Sequence, residues 1–205
     1  MSTTVRDRVE HMAERGHQAI DAAGTQEDHE TRSERTVGRY VGAVARISIG
    51  VVFLWAFLDK LLALGYATGA NPETGAIDRF GDAAWIHGGS PTEGFLSNVG
   101  GPFKGLFEPM AGAAWADWLF MAGLLAIGTA LILGVGMRIA AATGGLLLTF
   151  MWMASLPLEN NPFMDDHLVY AVVLVGLALL HAGDTLGLGR LWARTDLVHR
   201  HPALL

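Results

Sequence analysis

The sequence contains no cysteine among its 205 residues. This absence excludes structural disulfides, cysteine-bound iron–sulfur clusters and redox exchange at a protein thiol. Any redox role would therefore depend on a bound carrier or on a partner. Charge is also scarce, since 17% of the residues are Asp, Glu, Lys or Arg, whereas soluble domains carry about 25%. The formal net charge is −6, so we expect no nucleic-acid partner.

Apolar residues are abundant instead, making up 51% of the sequence. They gather in four blocks, which predicts an integral membrane protein. The N-terminal stretch MSTTVRDRVEHMAERGHQAID lacks the apolar core of a signal peptide. We therefore expect the first membrane helix to act as a signal anchor.

The four blocks predict four membrane-spanning helices. The first covers residues 40–66 and carries Arg46, Asp59 and Lys60. The next two uncharged runs, 118–137 and 139–158, are separated by Arg138 alone. A single helix over both would be about 60 Å long, twice the hydrocarbon core, so a tight turn is predicted over Gly134–Arg138. The fourth helix covers 164–186. The predicted fold is an all-α, integral membrane four-helix bundle.

Arginine placement predicts the orientation of the bundle. Arginines are concentrated before the first helix, after the fourth helix and at Arg138. The positive-inside rule then places both termini and the 134–138 turn in the cytoplasm. The long loop, residues 67–114, would be extracytoplasmic, and its amphipathic second half predicts one or two short helices in the membrane interface.

These boundaries divide the chain into three parts. Residues 1–39 form a polar cytoplasmic extension, with an amphipathic helix followed by a loop over residues 23–36. A solvated, partly disordered tail is the alternative for this extension. Residues 40–190 form the membrane domain, and residues 191–205 form a cytoplasmic tail.

Charged residues inside the predicted bundle occupy two levels. At the inner level, Arg46 lies at about the same depth as His181 and Asp184, because the first helix rises while the fourth descends. Three interpretations remain open for Arg46: an ion pair holding two helices, a side chain that snorkels to the interface, or a polar anchor for a quinone or lipid headgroup.

The outer level is richer in charge. Asp59 and Lys60 lie near the outer end of the first helix, Asp117 opens the second, and Asp165, Asp166 and His167 open the fourth. Lys60 has several candidate carboxylates, and a histidine can exchange protons near neutral pH. The sequence leaves the pairing open. The candidate catalytic residues are Lys60, Asp166 and His167; the candidate cofactor-binding residues are Arg46, Asp59, His181 and Asp184.

Haem and metal sites are not expected. The first three spans contain no histidine, and His167 and His181 lie too far apart on one helix to bind a single haem iron. The spans contain neither H-x-x-x-H nor E-x-x-H, so no zinc or di-iron site is predicted.

Several stretches carry a family resemblance: ARISIGVVFLWAFLDKL (45–61), SPTEGFLSN (90–98), PFKGLFEPMAG (102–112) and NNPFMDDHLVYAVVLVGLALLHAGDTLGLGRLW (160–192). In this order they resemble the DoxX/DoxD family of four-helix membrane proteins, over about residues 40–195. That family includes the small, quinone-linked membrane subunit of thiosulfate:quinone oxidoreductase. By resemblance, Arg46 and Lys60 occupy the polar positions of the first helix, and Asp166 and His167 match the polar opening of the fourth.

The resemblance implies a redox subunit of the bacterial plasma membrane, with a quinone as cofactor and other redox subunits and lipid as partners. Electrons would pass from a substrate such as thiosulfate to a quinone between the helices. The acidic rim repels a sulfur oxyanion, which favours quinone or partner binding there. The alternative is a non-catalytic scaffold or accessory subunit of a respiratory or redox complex. A small transporter ranks last, because no broken helix or inverted repeat is evident.

Overall fold

A computed structural model describes residues 3–71 and 73–204, with side chains from residue 33 onward. The regular elements of these residues are helices, apart from one antiparallel bridge between Ala70 and Ile77. The predicted all-α class is confirmed for this part of the chain. The α-helices are α1 (Thr3–Leu62), α2 (Glu93–Leu96), α3 (Lys104–Phe107), α4 (Ala114–Leu133), α5 (Met137–Ala154), α6 (Asp166–Leu179), α7 (Gly189–Trp192) and α8 (Asp196–Arg200). Four 3₁₀ turns cover Trp85–His87, Glu108–Met110, Ala182–Asp184 and Pro202–Leu204.

Three of the described helices are long and apolar enough to cross a membrane. They are Ser33–Leu62 within α1 (30 residues), α4 (20 residues) and α5 (18 residues). Each contains an 18-residue stretch of high mean hydropathy, 2.1, 1.9 and 1.3 respectively. Their composition and length support the predicted membrane environment. Helix α6 has 14 residues, which rise about 21 Å, less than the hydrocarbon core.

Helix α1 differs from its prediction at both ends. The loop predicted over residues 23–36 is wrong, because the helix is continuous from Thr3 to Leu62. That stretch contains three Glu and two Arg, which favour helix, and it has no proline to interrupt one. The helix ends four residues before the predicted 66, since Ala63 adopts a left-handed conformation. The predicted amphipathic pattern of residues 3–32 concerns side chains outside the described part.

Contacts divide the chain into two compact units, residues 1–41 and residues 42–205. Within the second unit, α1, α4, α5 and α6 contribute to one hydrophobic core. Its buried residues are Ile49, Phe53, Met121, Leu124, Ile127, Leu131, Met137, Ala140, Ala141, Leu148, Leu174, Leu177 and Ala182. Close approach of α1 to α4 depends on glycine: a Cβ on Gly128 would lie 2.9 Å from the backbone nitrogen of Leu54 and 3.1 Å from the carbonyl oxygen of Gly50.

Helix α4 begins and ends four residues before the predicted boundaries, and α5 begins two residues and ends four residues before them. The predicted boundaries were the limits of the uncharged runs. The real helix ends depend instead on backbone conformation. Gly134 caps α4 at φ 72° and Gly136 precedes α5 at φ 59°, conformations that glycine adopts without steric cost. Three residues therefore link the two helices in the predicted turn region.

The predicted fourth helix, 164–186, is too long at its C-terminal end. Helix α6 ends at Leu179, His181 is left-handed at φ 50°, and Ala182–Asp184 form a 3₁₀ turn. Because the helix ends here, the backbone carbonyls of Ala182, Thr185 and Leu186 face the buried guanidinium of Arg46.

The segment between α1 and α4 carries the short helices α2 and α3 and two of the 3₁₀ turns. Its apolar residues form a second, smaller core against the end of α5. Leu96, Val99, Phe107 and Ala154 are buried in it. The segment is therefore anchored to the helices rather than detached from them.

Candidate functional site

Arg46 is completely buried and binds backbone carbonyls. Its Nε donates to Ala182 (3.2 Å), Nη1 to Ile132 (3.0 Å) and more closely to Leu131, and Nη2 to Thr185 (3.3 Å) and Leu186 (2.9 Å). A guanidinium has five N–H donors, and five acceptors surround this one. Arg46 therefore ties α1 to the C-terminal end of α4 and to the turn after α6.

Two of these acceptors belong to the last turn of α4. The final carbonyls of a helix lack intrahelical partners, and the helix dipole places partial negative charge there. A guanidinium satisfies both needs at once. Glycines let the backbone close around it, because a Cβ on Gly134 or on Gly187 would lie 3.0 Å from its terminal nitrogens.

The inner pair predicted from the sequence does not form. Asp184 is partly buried and His181 is exposed, and neither is among the hydrogen-bond partners of Arg46 in the described residues. His181 and Asp184 do lie beside acceptors of Arg46 along the chain, since Ala182 and Thr185 both accept from its guanidinium.

Asp59 binds the backbone of the turn that follows α1. The side chain is 1% exposed, and its two oxygens accept from the backbone amides of Tyr66 (3.2 Å) and Ala67 (2.9 Å). The carboxylate thus satisfies amides in the turn that follows the helix. Its observed partners are backbone groups rather than Lys60, its neighbour in sequence.

Asp117, in the first turn of α4, is also engaged. The carboxylate is 7% exposed and accepts from Ser90 Oγ (2.9 Å), Thr92 Oγ1 (2.6 Å) and the Thr92 amide (3.1 Å). This network attaches the SPT stretch to α4. No local pattern predicts this network, since Asp117 follows Thr92 by 25 residues along the chain.

Lys60 differs from these groups. It is half-buried, and its ammonium lies 5.9 Å from the centroid of the Phe120 ring. That distance is at the outer limit of a cation–π interaction. Among the described residues Lys60 has no ion-pair partner at 4.0 Å or closer; Asp117 and His167 bind other groups. Phe120 was not predicted, since an aromatic side chain in an apolar run carries no distinguishing signal.

The polar opening of α6 forms a compact cluster. Asp165 caps the helix by accepting from the Leu168 amide at 3.1 Å, and His167 Nδ1 donates to its other oxygen at 2.7 Å. Asp166 lies 3.4 Å from the same nitrogen but is mostly exposed. This arrangement leaves Nε2 of His167 as the nitrogen available for proton exchange.

A groove lies beside this end of the molecule and was not predicted. It has a volume of about 590 Å³ and is lined by residues 94–95, 98–100 and 154–160. In its wall, Asn98 donates to the carbonyl of Gly94 in α2 and Ser155 donates to the carbonyl of Met151 in α5, each in the helix that precedes it. Lys60, Asp166 and His167 are not among its lining residues.

The structure therefore separates the candidate residues by role. Arg46 and Asp59 bind backbone groups, as does Asp165, whereas Lys60 and His167 retain donors or acceptors that the described residues do not use. Asp184 and His181 lie on the turn that encloses Arg46. Comparison with protein-family models, with curated proteins and with solved structures finds no match for the chain.

Proposed function

We propose that the chain is a multi-pass membrane subunit of a redox system, resembling the DoxX/DoxD type, and that Lys60 and Phe120 bind a quinone headgroup. In this proposal α6 and the turn after it complete a fourth crossing. Both termini are cytoplasmic and residues 67–113 are extracytoplasmic. The membrane is the bacterial plasma membrane.

One observation carries the proposal: the half-buried ammonium of Lys60 faces an aromatic ring and has no ion-pair partner among the described residues. The adjacent Asp59 carboxylate attracts this ammonium but binds backbone amides, and no carboxylate of the described residues lies within 4.0 Å of it. A cation without a close counter-ion is costly in a membrane, and such residues mark functional sites. A quinone fits this pair chemically. Its carbonyl oxygen would accept from the ammonium, while its ring would pack on Phe120.

Reduction of a quinone consumes two electrons and two protons. His167, held through Nδ1 by Asp165 at 2.7 Å, is suited to deliver protons through Nε2 at the rim, with the exposed Asp166 beside it. Lys60, Asp166 and His167 thus keep catalytic roles in the proposal. The electrons come from thiosulfate or from a partner subunit.

The chain offers a matched pair of variants, because it has two lysines. Lys104 is 55% exposed and lies 3.9 Å from Glu108, away from Phe120. We expect protein purified in mild detergent to retain quinone, measured in its lipid extract. Lys60→Met lowers that content at least tenfold, since a charge-assisted hydrogen bond contributes about 1.5–3 kcal/mol. Lys104→Met leaves it unchanged.

The possible outcomes test the location of the quinone site and the redox function separately. Equal quinone content in the wild type and Lys60→Met would show that the site is elsewhere. A wild type with no bound quinone, and no quinol formed when thiosulfate and a quinone analogue are added, would remove the redox function.

A non-catalytic scaffold is the second candidate, and the polar network favours it. Among the described residues no buried side-chain nitrogen or oxygen lacks a hydrogen-bond partner, and Arg46, Asp59 and Asp117 all stabilise the fold. Mild-detergent purification followed by mass spectrometry tests it. A redox subunit present in equal amounts supports the scaffold, whereas a homogeneous monomer or homodimer counts against it.

A further inference from the structure

The C-terminal segment, residues 186–204, is an ordered element rather than a loose tail. Near its start, the Leu188 amide donates to the carbonyl of Leu133 at 2.7 Å, at the end of α4. Trp192 Nε1 donates to the carbonyl of Leu204 at 2.7 Å, and Val198 is buried. The segment therefore folds back on itself beside the α4–α5 turn.

Its last turn is attached to α5. Arg138, in the first turn of α5, donates through Nη1 to the carbonyl of Pro202 at 3.2 Å. This contact places the exposed Arg138 beside the segment that carries Arg190, Arg194 and Arg200, which are exposed as well. We call these four arginines the basic patch.

The basic patch is a local excess of positive charge in an acidic protein. The segment holds three arginines and one aspartate, Asp196, in the first turn of α8, while the whole chain has a net charge of −6. His199 and His201 are exposed beside the arginines. None of the three segment arginines has a carboxylate within 4.0 Å among the described residues.

Exposed leucines accompany these arginines. Leu186 is 57% exposed, Leu191 63% and Leu197 51%. Leu180, just after the end of α6, is 75% exposed as well. Apolar side chains next to arginines, at the end of a helix bundle that suits a membrane, are typical of an element lying in the headgroup region.

We propose that the C-terminal segment and Arg138 form a binding site for anionic phospholipid headgroups of the adjacent leaflet. The leucines enter the acyl boundary, and the guanidinium groups of the basic patch bind headgroup phosphates. Arginine suits this ligand because its planar fork donates two hydrogen bonds to one phosphate. The proposal requires membrane embedding but not a quinone, so it is independent of the redox function.

Native mass spectrometry of the full-length protein tests the site, with phosphatidylglycerol and phosphatidylcholine of identical acyl chains at equal concentration. The wild type should bind phosphatidylglycerol preferentially. Each basic residue near a membrane contributes about fivefold in affinity. Combining Arg190→Gln, Arg194→Gln and Arg200→Gln should therefore reduce the preference at least tenfold, and raising the salt concentration should weaken it.

Three controls make the result decisive. Arg79→Gln with Lys104→Gln removes two exposed charges elsewhere and should leave the preference unchanged. Replacing the same three arginines by lysine should retain most of it. Because all three are exposed, the glutamine variant should elute and unfold like the wild type. Equal binding of both lipids by the wild type, or an unchanged preference in the glutamine variant, would overturn the proposal. Competition by inorganic phosphate at lipid concentrations would identify a free anion as the ligand instead.

Discussion

Arg46 illustrates how a charge can be accommodated in a bilayer without a counter-ion. Its guanidinium binds five carbonyl oxygens from two separate parts of the chain, the end of α4 and the turn after α6. Carbonyl dipoles at a helix C-terminus supply negative potential without adding a second charge that must itself be desolvated. An aspartate serving as the counter-ion of Arg46 would have added the free-energy cost of removing its carboxylate from water.

Replacing Arg46 by leucine should destabilise the protein by about 3–5 kcal/mol, because the carbonyls lose their donors in a buried site. Lysine should recover part of the loss, since it restores the charge but supplies three donors rather than five. Thermal unfolding in detergent, followed by fluorescence-detected size exclusion, measures both. Arg194→Leu, which removes an exposed arginine, is the control and should shift the midpoint little. An Arg46→Leu protein as stable as the wild type would contradict the structural role.

Asp117 should control the order of the segment before α2. Asp117→Ala removes the acceptor for Ser90 and Thr92, so the Thr92 amide should exchange its hydrogen faster by at least tenfold, corresponding to about 1.5–3 kcal/mol. Hydrogen exchange with mass spectrometry reads this directly. Asp82 is exposed, and Asp82→Ala should leave the exchange rate unchanged. Unaltered protection in Asp117→Ala would mean that the network is dispensable.

At the scale of elements, glycine residues determine how closely two helices can approach each other. Gly128→Ala would place a methyl group 2.9 Å from the Leu54 nitrogen, which belongs to the α1 backbone and cannot move independently. We expect a loss of about 1–3 kcal/mol from the resulting separation of α1 and α4.

Two other helical glycines provide controls for this prediction. A Cβ on Gly145 in α5 or on Gly176 in α6 would meet nothing within 4 Å. Alanine at either position should therefore be neutral or slightly stabilising, by up to about 1 kcal/mol, through helix propensity. Unfolding midpoints of the three single variants in one detergent compare them. If Gly128→Ala behaved like Gly145→Ala, the close packing of α1 on α4 would be disproved.

Sequence patterns predicted the elements better than their ends or their partners. The apolar runs located α1, α4 and α5, because composition decides which segments can enter lipid. The predicted C-terminal end of the fourth helix was wrong because the residues after α6 form a turn whose carbonyls face Arg46. Ala182, one of these residues, lies 136 positions from Arg46 in the sequence. Pairing Arg46 with Asp184 was reasonable from depth alone, but backbone carbonyls are invisible in a residue pattern. The roles of Lys60, Asp166 and His167 stay predictions.

At the scale of the whole molecule, the proposed orientation can be tested without a background signal, because the chain has no cysteine. Ser97→Cys and Ala203→Cys introduce thiols at exposed positions, the first between α1 and α4 and the second after α8. A membrane-impermeant maleimide added to intact cells should label Ser97→Cys and spare Ala203→Cys, and permeabilised cells should show both labelled. The reverse pattern would invert the topology, and labelling of both in intact cells would rule out four crossings.

The bonds of Arg46 also set an order of events during synthesis. Its nearest acceptors in sequence lie 85 residues further along, and those of the last turn up to 140. At about 5–20 residues per second, Arg46 is synthesised roughly 7–28 s before its final partners exist. Until then the guanidinium lacks its full set of acceptors, so we expect the first helix to reach its final position in the bilayer only after the last acceptors are made. Truncated nascent chains that stop before residue 182 should therefore remain at the insertion machinery and be substrates for membrane proteases.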